Sequence, residues 1–239
     1  MSEFESEPEP TPPSAERVAC RALVLTAMAA RSYVEGEGPG DDSTAFQRDL
    51  LHWLELVGAA TECEPRERRV LVAPIGTLTQ AEAINAGWDA EAMVVLAWAL
   101  GRAELPSFSQ TCKPRAVGDA LGFWSARDHS VLAAPTLRDP EEIGALADQL
   151  FAVHWRLREF YLNPVPLDFR DIAERASFGP LDVSRLPFVE GDLAIDGVPL
   201  AIVQDERWRD CLRIAGERHR AANWLLGFEP LYSEVTADT

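Results

Sequence analysis

The side chains that could do chemistry gather in one late block, Glu217-Arg218-His219-Arg220-Ala221-Ala222-Asn223-Trp224. On a helix Glu217 lies three residues before Arg220 and four after Arg213, the spacings at which ion pairs form along one face. Arg218 and His219 sit near an apolar stripe of Trp208, Cys211, Leu212, Ala215 and Ala222. Asn223 and Trp224 carry polar atoms that need partners when buried. The functional reading is a polar pocket, for a small ligand or a substrate, lined by Glu217, Arg218, His219 and Asn223. The structural reading is a charged helix face with a satisfied buried asparagine. Glu91 is the fifth candidate, because it is a carboxylate in a helix that, apart from it and Asp89, is apolar or small. A buried carboxylate is costly unless paired, and Arg156, Arg158 or Arg218 could pair with it. Its alternative role is a general acid that holds its proton.

Other chemistries lack their patterns. Asp49, His52 and Glu55 share a helix face, but there is no His-Glu-x-x-His zinc pattern and no second matched ligand pair, so no metal is expected. His154 beside Trp155 reads as an ordinary helix residue. His129 lies in an expected loop with Asp128 and Ser130, and neighbours in sequence do not make a triad. Gly36-Glu37-Gly38-Pro39-Gly40 follows a helix and lacks both a preceding strand and a following Lys-Ser/Thr, so it is a connector and not a phosphate loop. No cofactor is expected.

The element that must position these groups is the stretch at residues 88–101, WDAEAMVVLAWALG. Its apolar residues keep to no single stripe, so the helix should be buried on nearly all sides, with Gly101 as its stop. It is too short to cross a bilayer, which needs roughly 20 apolar residues. Before it, residues 1–13 form an acidic, proline-rich tail expected to be disordered, and residues 14–239 a single helical domain. A first helix is expected over residues 15 to about 35, and a second after a cap at Ser43. A third begins with a Thr61/Glu64 capping box and Pro65 and runs to Val72. Thr79 opens a short helix leading into the central one. Residues 105–113 read as loop and residues 114–121 as helix.

Asp139-Pro140-Glu141-Glu142 combines a cap, a proline at the first helical position and two acids at the positive end of the dipole, and its helix runs to about Leu162. A short helix follows at residues 169–176. Asp196-Gly197 between apolar runs at 192–195 and 198–203 predicts a hairpin, with Pro199 making the second arm an edge or imperfect strand. Asp205 caps the last long helix, which runs to about Leu226 and closes at Gly227. The fold class is therefore mainly α: one multi-helix domain with a small β-hairpin before the last long helix.

Composition bounds the function. Hydrophobic residues make up 47% of 239, enough for a sizeable core. The net charge of −17 argues against a nucleic-acid binder and against docking on anionic membranes, and it suits a basic protein partner. Cys20, Cys63, Cys112 and Cys211 form no Cys-x-x-Cys pair, and the acidic N-terminus lacks a secretory n-region, so a reducing cytoplasm with free thiols is expected.

Three blocks carry a resemblance. They are Trp88-x-x-Glu91 leading into Val95-Leu96-Ala97-Trp98-Ala99-Leu100-Gly101, then His154-Trp155, then residues 217–227 with the closing residues 234–239. Together they resemble the bacterial domain-of-unknown-function family 4272. Leu231-Tyr232-Ser233-Glu234 departs from it, standing where that family's pattern has a tryptophan and an acid. The resemblance implies a bacterial, soluble, helical protein and no named catalytic residue. Two functions stay open. The first is an acidic binding protein that caps a basic partner, as an immunity protein does. The second is an enzyme or small-ligand domain with a polar pocket between the central and last helices.

Overall fold

Helix α4 (Gln80–Ala99) organises the molecule, and its sequence shows why it starts and packs as it does. Thr79 caps it by accepting from the Glu82 amide, while the Glu82 carboxylate accepts from the Thr79 amide. Gly87 lies within it because a Cβ there would meet Ser32 Oγ of α1 (Ala15–Glu37) at 3.0 Å. The two helices therefore pack closely, and Ser32 Oγ also donates to Ala83 O at 2.7 Å. Residues 89–97 of α4 are all buried. The expected short helix at Thr79 and the central one are thus a single helix, because the box starts it and nothing before Ala99 breaks it.

The computed structural model describes residues 11–124, 130–175, 181, 183–203 and 206–239. Within them the chain is mainly α, with nine α-helices and a three-stranded antiparallel sheet before the last long helix. The other helices are α2 (Asp41–Leu56), α3 (Pro65–Val72), α5 (Pro114–Leu121), α6 (Ser130–Ala133), α7 (Pro140–Leu162), α8 (Phe169–Arg175) and α9 (Arg207–Leu225). None is long and apolar enough to cross a membrane.

Several boundaries differ from those expected. Helix α2 starts two residues before Ser43, with Gly40 as cap, and Ser43 Oγ instead donates to Gly40 O. The capping box of α3 is Glu64/Glu67, because Pro65 at the first helical position makes Glu64 the cap. Thr61 belongs to a 3-10 turn, Ala59–Glu62. The hairpin joins β2 (Asp192–Ile195) to β3 (Val198–Pro199), with Asp196 and Gly197 both at positive φ as a type I′ turn requires. After Pro199 the second arm leaves the ladder for a 3-10 turn, Leu200–Ile202. A further strand, β1 (Phe188–Val189), was too short to show any alternation and pairs with the other edge of β2. Asp205, the expected cap of α9, and Asp128 and His129 lie outside the described residues.

The core falls into two apolar clusters. One gathers α1, α2, α4 and the early part of α7 with the late part of α9. The other gathers the late part of α7, α8, the sheet and the early part of α9. Helices α7 and α9 cross from one cluster to the other, and the polar block at Glu217–Arg220 occupies the crossing point of α9. At the end of α9, Gly227 (φ +81°) leaves room for the Thr11–Pro12 backbone to lie against it, and Pro13 is buried.

Candidate functional site

Adjacent residues on α9 point about 100° apart, and residues two apart on α4 diverge by about 200°. Glu217 and Arg218 therefore leave α9 in different directions, as Asp89 and Glu91 leave α4. On one side Glu91 meets Arg218, both almost wholly buried. Arg218 Nη2 and Nε donate to Glu91 Oε2 at 2.7 and 3.0 Å. The remaining oxygen of Glu91 accepts from the Cys112 amide at 2.9 Å. Arg218 also donates to the carbonyls of Pro106, Ser107 and Gln110 at 2.8–3.1 Å. Of the three partners weighed for Glu91, Arg218 is the one it has. The pair is fully bonded and ties residues 106–112 to the two helices, so its geometry is that of a clip.

On the other side α4 and α9 wall a cleft of about 950 Å³, completed by α3, α7 and the C-terminal segment. Glu217 lines it and is held by Arg213 Nε at 3.0 Å and by Arg220 Nη2 at 3.0 Å. Asp89 lines the same wall at 3% exposure. Its nearest cation, Arg66 Nη1, stands 3.4 Å away, too far for a strong charge-assisted bond. Burial therefore dominates and lifts the Asp89 carboxyl to about 7, with Arg66 opposing and Glu217 and Glu67 adding to the rise. Glu67 is also raised by burial, against the pull of Arg21.

The C-terminal segment is pinned over this wall by Glu64, whose two oxygens accept from the amides of Tyr232 (2.7 Å) and Ser233 (2.9 Å). Arg21 holds Glu64 and Glu67 from behind at 2.9 and 2.7 Å. The Tyr232 ring is buried between Trp224 and Arg21, and its hydroxyl has no hydrogen-bond partner among the described residues. Burial raises that phenol further above its ordinary range.

The other two candidates lie elsewhere. His219 is buried against His154 of α7, with the two Nδ1 atoms 3.1 Å apart. Desolvation holds both imidazoles down, to about 4, with Arg158 and the neighbouring imidazole adding to the effect. Asn223 is satisfied by Thr236 O, to which its Nδ2 donates at 3.0 Å, so it holds the C-terminal segment. Trp224, expected to find a partner, is fully buried, and its Nε1 bonds to nothing among the described residues. Thus the five candidates do not form one pocket: Glu217 reaches the cleft, Glu91 and Arg218 form the clip, and His219 and Asn223 bond within the interfaces of α9.

Asp89, Arg66, Arg158 and Tyr232 were missed as site residues. Asp89 carried the same signal as Glu91, a carboxylate in an apolar helix. Tyr232 stands in the four residues where the family pattern is broken. His52 and Asp49 are exposed on α2, and among the described residues no group of three or more His, Cys, Asp or Glu is placed to hold a metal ion.

A family model described as Domain of unknown function (DUF4272) matches residues 2–176. That span contains the α3, α4 and α7 walls of the cleft and stops before α9, so the match does not rest on the block at residues 217–227. No curated protein and no solved structure matches the chain.

Proposed function

We propose that this chain, which belongs to the DUF4272 family, binds a small polar ligand in the cleft between α4 and α9 and uses Asp89 to hold or move a proton there. The observation that supports this most is Asp89 itself. A carboxylate in a merely structural role would be neutralised by a close cation, as Glu91 is by Arg218. Among the described residues Asp89 has only Arg66, at 3.4 Å, and it lies at the wall of a roomy cleft with its pKa raised to about 7, the property a general acid or base needs. A thermal-shift screen of polar metabolites against wild type and Asp89→Asn tests it. At least one compound should raise the wild-type melting point by ~2–4 °C, with the rise at least halved in the variant. A panel that moves neither protein, or both alike, would count against the reading.

The net charge of −17 favours a second reading, an acidic bacterial and cytoplasmic protein that caps a basic partner. Four free thiols suit a reducing compartment. A low-salt pull-down from its own lysate should then return a stoichiometric basic protein that leaves as salt rises, and a blank would remove this reading.

A further inference from the structure

Charge in the cleft is sorted by depth. Its acids, Glu64, Glu67, Asp89 and Glu217, all have side chains no more than 8% exposed. Its arginines come from three helices, Arg66 from α3, Arg158 from α7, and Arg209, Arg213 and Arg220 from α9, where Arg209 pairs with Glu206. Arg66, Arg213 and Arg220 have side chains 40%, 42% and 33% exposed, and Arg158 is exposed as well. Among the residues lining the cleft the exposed charged groups are guanidiniums, and the carboxylates are buried.

The acids are largely committed. Glu64 and Glu67 share Arg21, and Glu217 is paired with both Arg213 and Arg220. Arg66 and Arg158 are less so. Arg66 reaches Asp89 only at 3.4 Å, and Arg158 makes no ion pair among the described residues. The exposed charge lining the cleft is therefore positive, in a chain whose net charge is −17. The guanidinium fork is the side chain best matched to a planar or tetrahedral oxyanion. On the same wall the Tyr232 hydroxyl is a buried donor without an acceptor among the described residues.

Resting on the reading that this cleft is the binding site, we infer that its ligand carries an oxyanion, a carboxylate or a phosphoryl group, which docks on Arg66 and Arg158 with Arg213 and Arg220 flanking it. Asp89 does not oppose such a ligand as a fixed charge would. Near neutral pH its carboxyl is protonated in much of the population and can donate to an anion oxygen.

The test is an NMR titration of the full chain with three probes at matched ionic strength: inorganic phosphate, succinate, and putrescine as a cationic contrast. It is repeated on Arg66→Gln and Arg158→Gln, two exposed positions, neither of which holds Glu64, Glu67 or Glu217. Saturable shifts of amides around residues 66 and 220 with phosphate, succinate or both are expected. Each substitution should weaken that binding by roughly tenfold, the effect of one charge-assisted bond. Phosphate without succinate assigns a phosphoryl ligand, and succinate without phosphate a carboxylate. Saturation by putrescine alone would overturn the anion class while leaving the cleft reading in place. Silence from all three probes, or anion binding that neither substitution weakens, also overturns the inference. The metabolite screen then decides separately whether the cleft binds anything.

Discussion

His154 and His219 share one contact that only a neutral imidazole can accept, and their burial makes the pair a built-in acid sensitivity. Both have pKa values lowered from 6.5 to about 4, so the unfolded chain binds more protons than the folded one between those values. The stability this contributes is fully present above pH 6.5 and is lost as pH falls toward 4. Asp89 acts in the opposite sense. Raised from 3.8 to about 7, it makes the folded state bind more protons across that window, so its contribution is present at low pH and lost as pH rises through 7. Two imidazoles outweigh one carboxyl, and wild type should lose on the order of a few kcal/mol between pH 6.5 and 4. Urea unfolding across that range should show His219→Gln flattening the slope and Asp89→Asn steepening it while raising stability at pH 8. Two variants with the wild-type slope would mean that neither group is held as described. Sequence spacing could not reveal either effect, since the partners stand 65 residues apart for the histidines and 23 for Asp89 and Arg66.

At the scale of elements, Glu91 and Arg218 join α4, α9 and the loop at residues 106–112 through one buried pair. Glu91→Gln keeps the shape and removes the charge, leaving a buried guanidinium uncompensated. The expected loss is about 3–5 kcal/mol of unfolding free energy. Equilibrium urea denaturation measures it, and an unchanged value would mean that the three loop carbonyls suffice to hold Arg218. What was legible in the sequence follows from how local each signal is. Asp139-Pro140 placed the start of α7, and Asp196-Gly197 placed the hairpin, because cap and turn chemistry need only adjacent residues. Thr61/Glu64 misled because the same spacing recurs at Glu64/Glu67, and only the proline decides between them. The cleft was largely illegible. Its walls come from α3, α4, α7, α9 and the chain end, and the pattern that marked Asp89 and Glu91 alike says nothing about which of them faces a guanidinium.

For the whole molecule, the excess of carboxylates sets how it answers to salt. The close pairs that fix its architecture, Arg21 with Glu64 and Glu67, Arg156 with Asp192 and Arg218 with Glu91, have side chains no more than 8% exposed, where screening by ions is weak. Exposed pairs such as Arg48–Asp49 contribute little at any ionic strength. What salt does screen is the mutual repulsion of a surface belonging to a chain of net charge −17. Adding sodium chloride from low ionic strength should therefore stabilise the fold. The melting temperature should rise by ~2–4 °C by about the concentration at which the Debye length falls below 10 Å, then level off. Calorimetry over that series checks it. A falling melting temperature would mean that exposed attractions outweigh the repulsion, which would contradict the assignment of the architectural pairs to the interior. The exposed arginines of the cleft gain nothing from this screening, since salt weakens their hold on an anion while it relieves the surface around them. Affinity for an oxyanion and stability of the fold should then move in opposite directions with ionic strength, a pairing that uniform solvent effects on the fold do not produce.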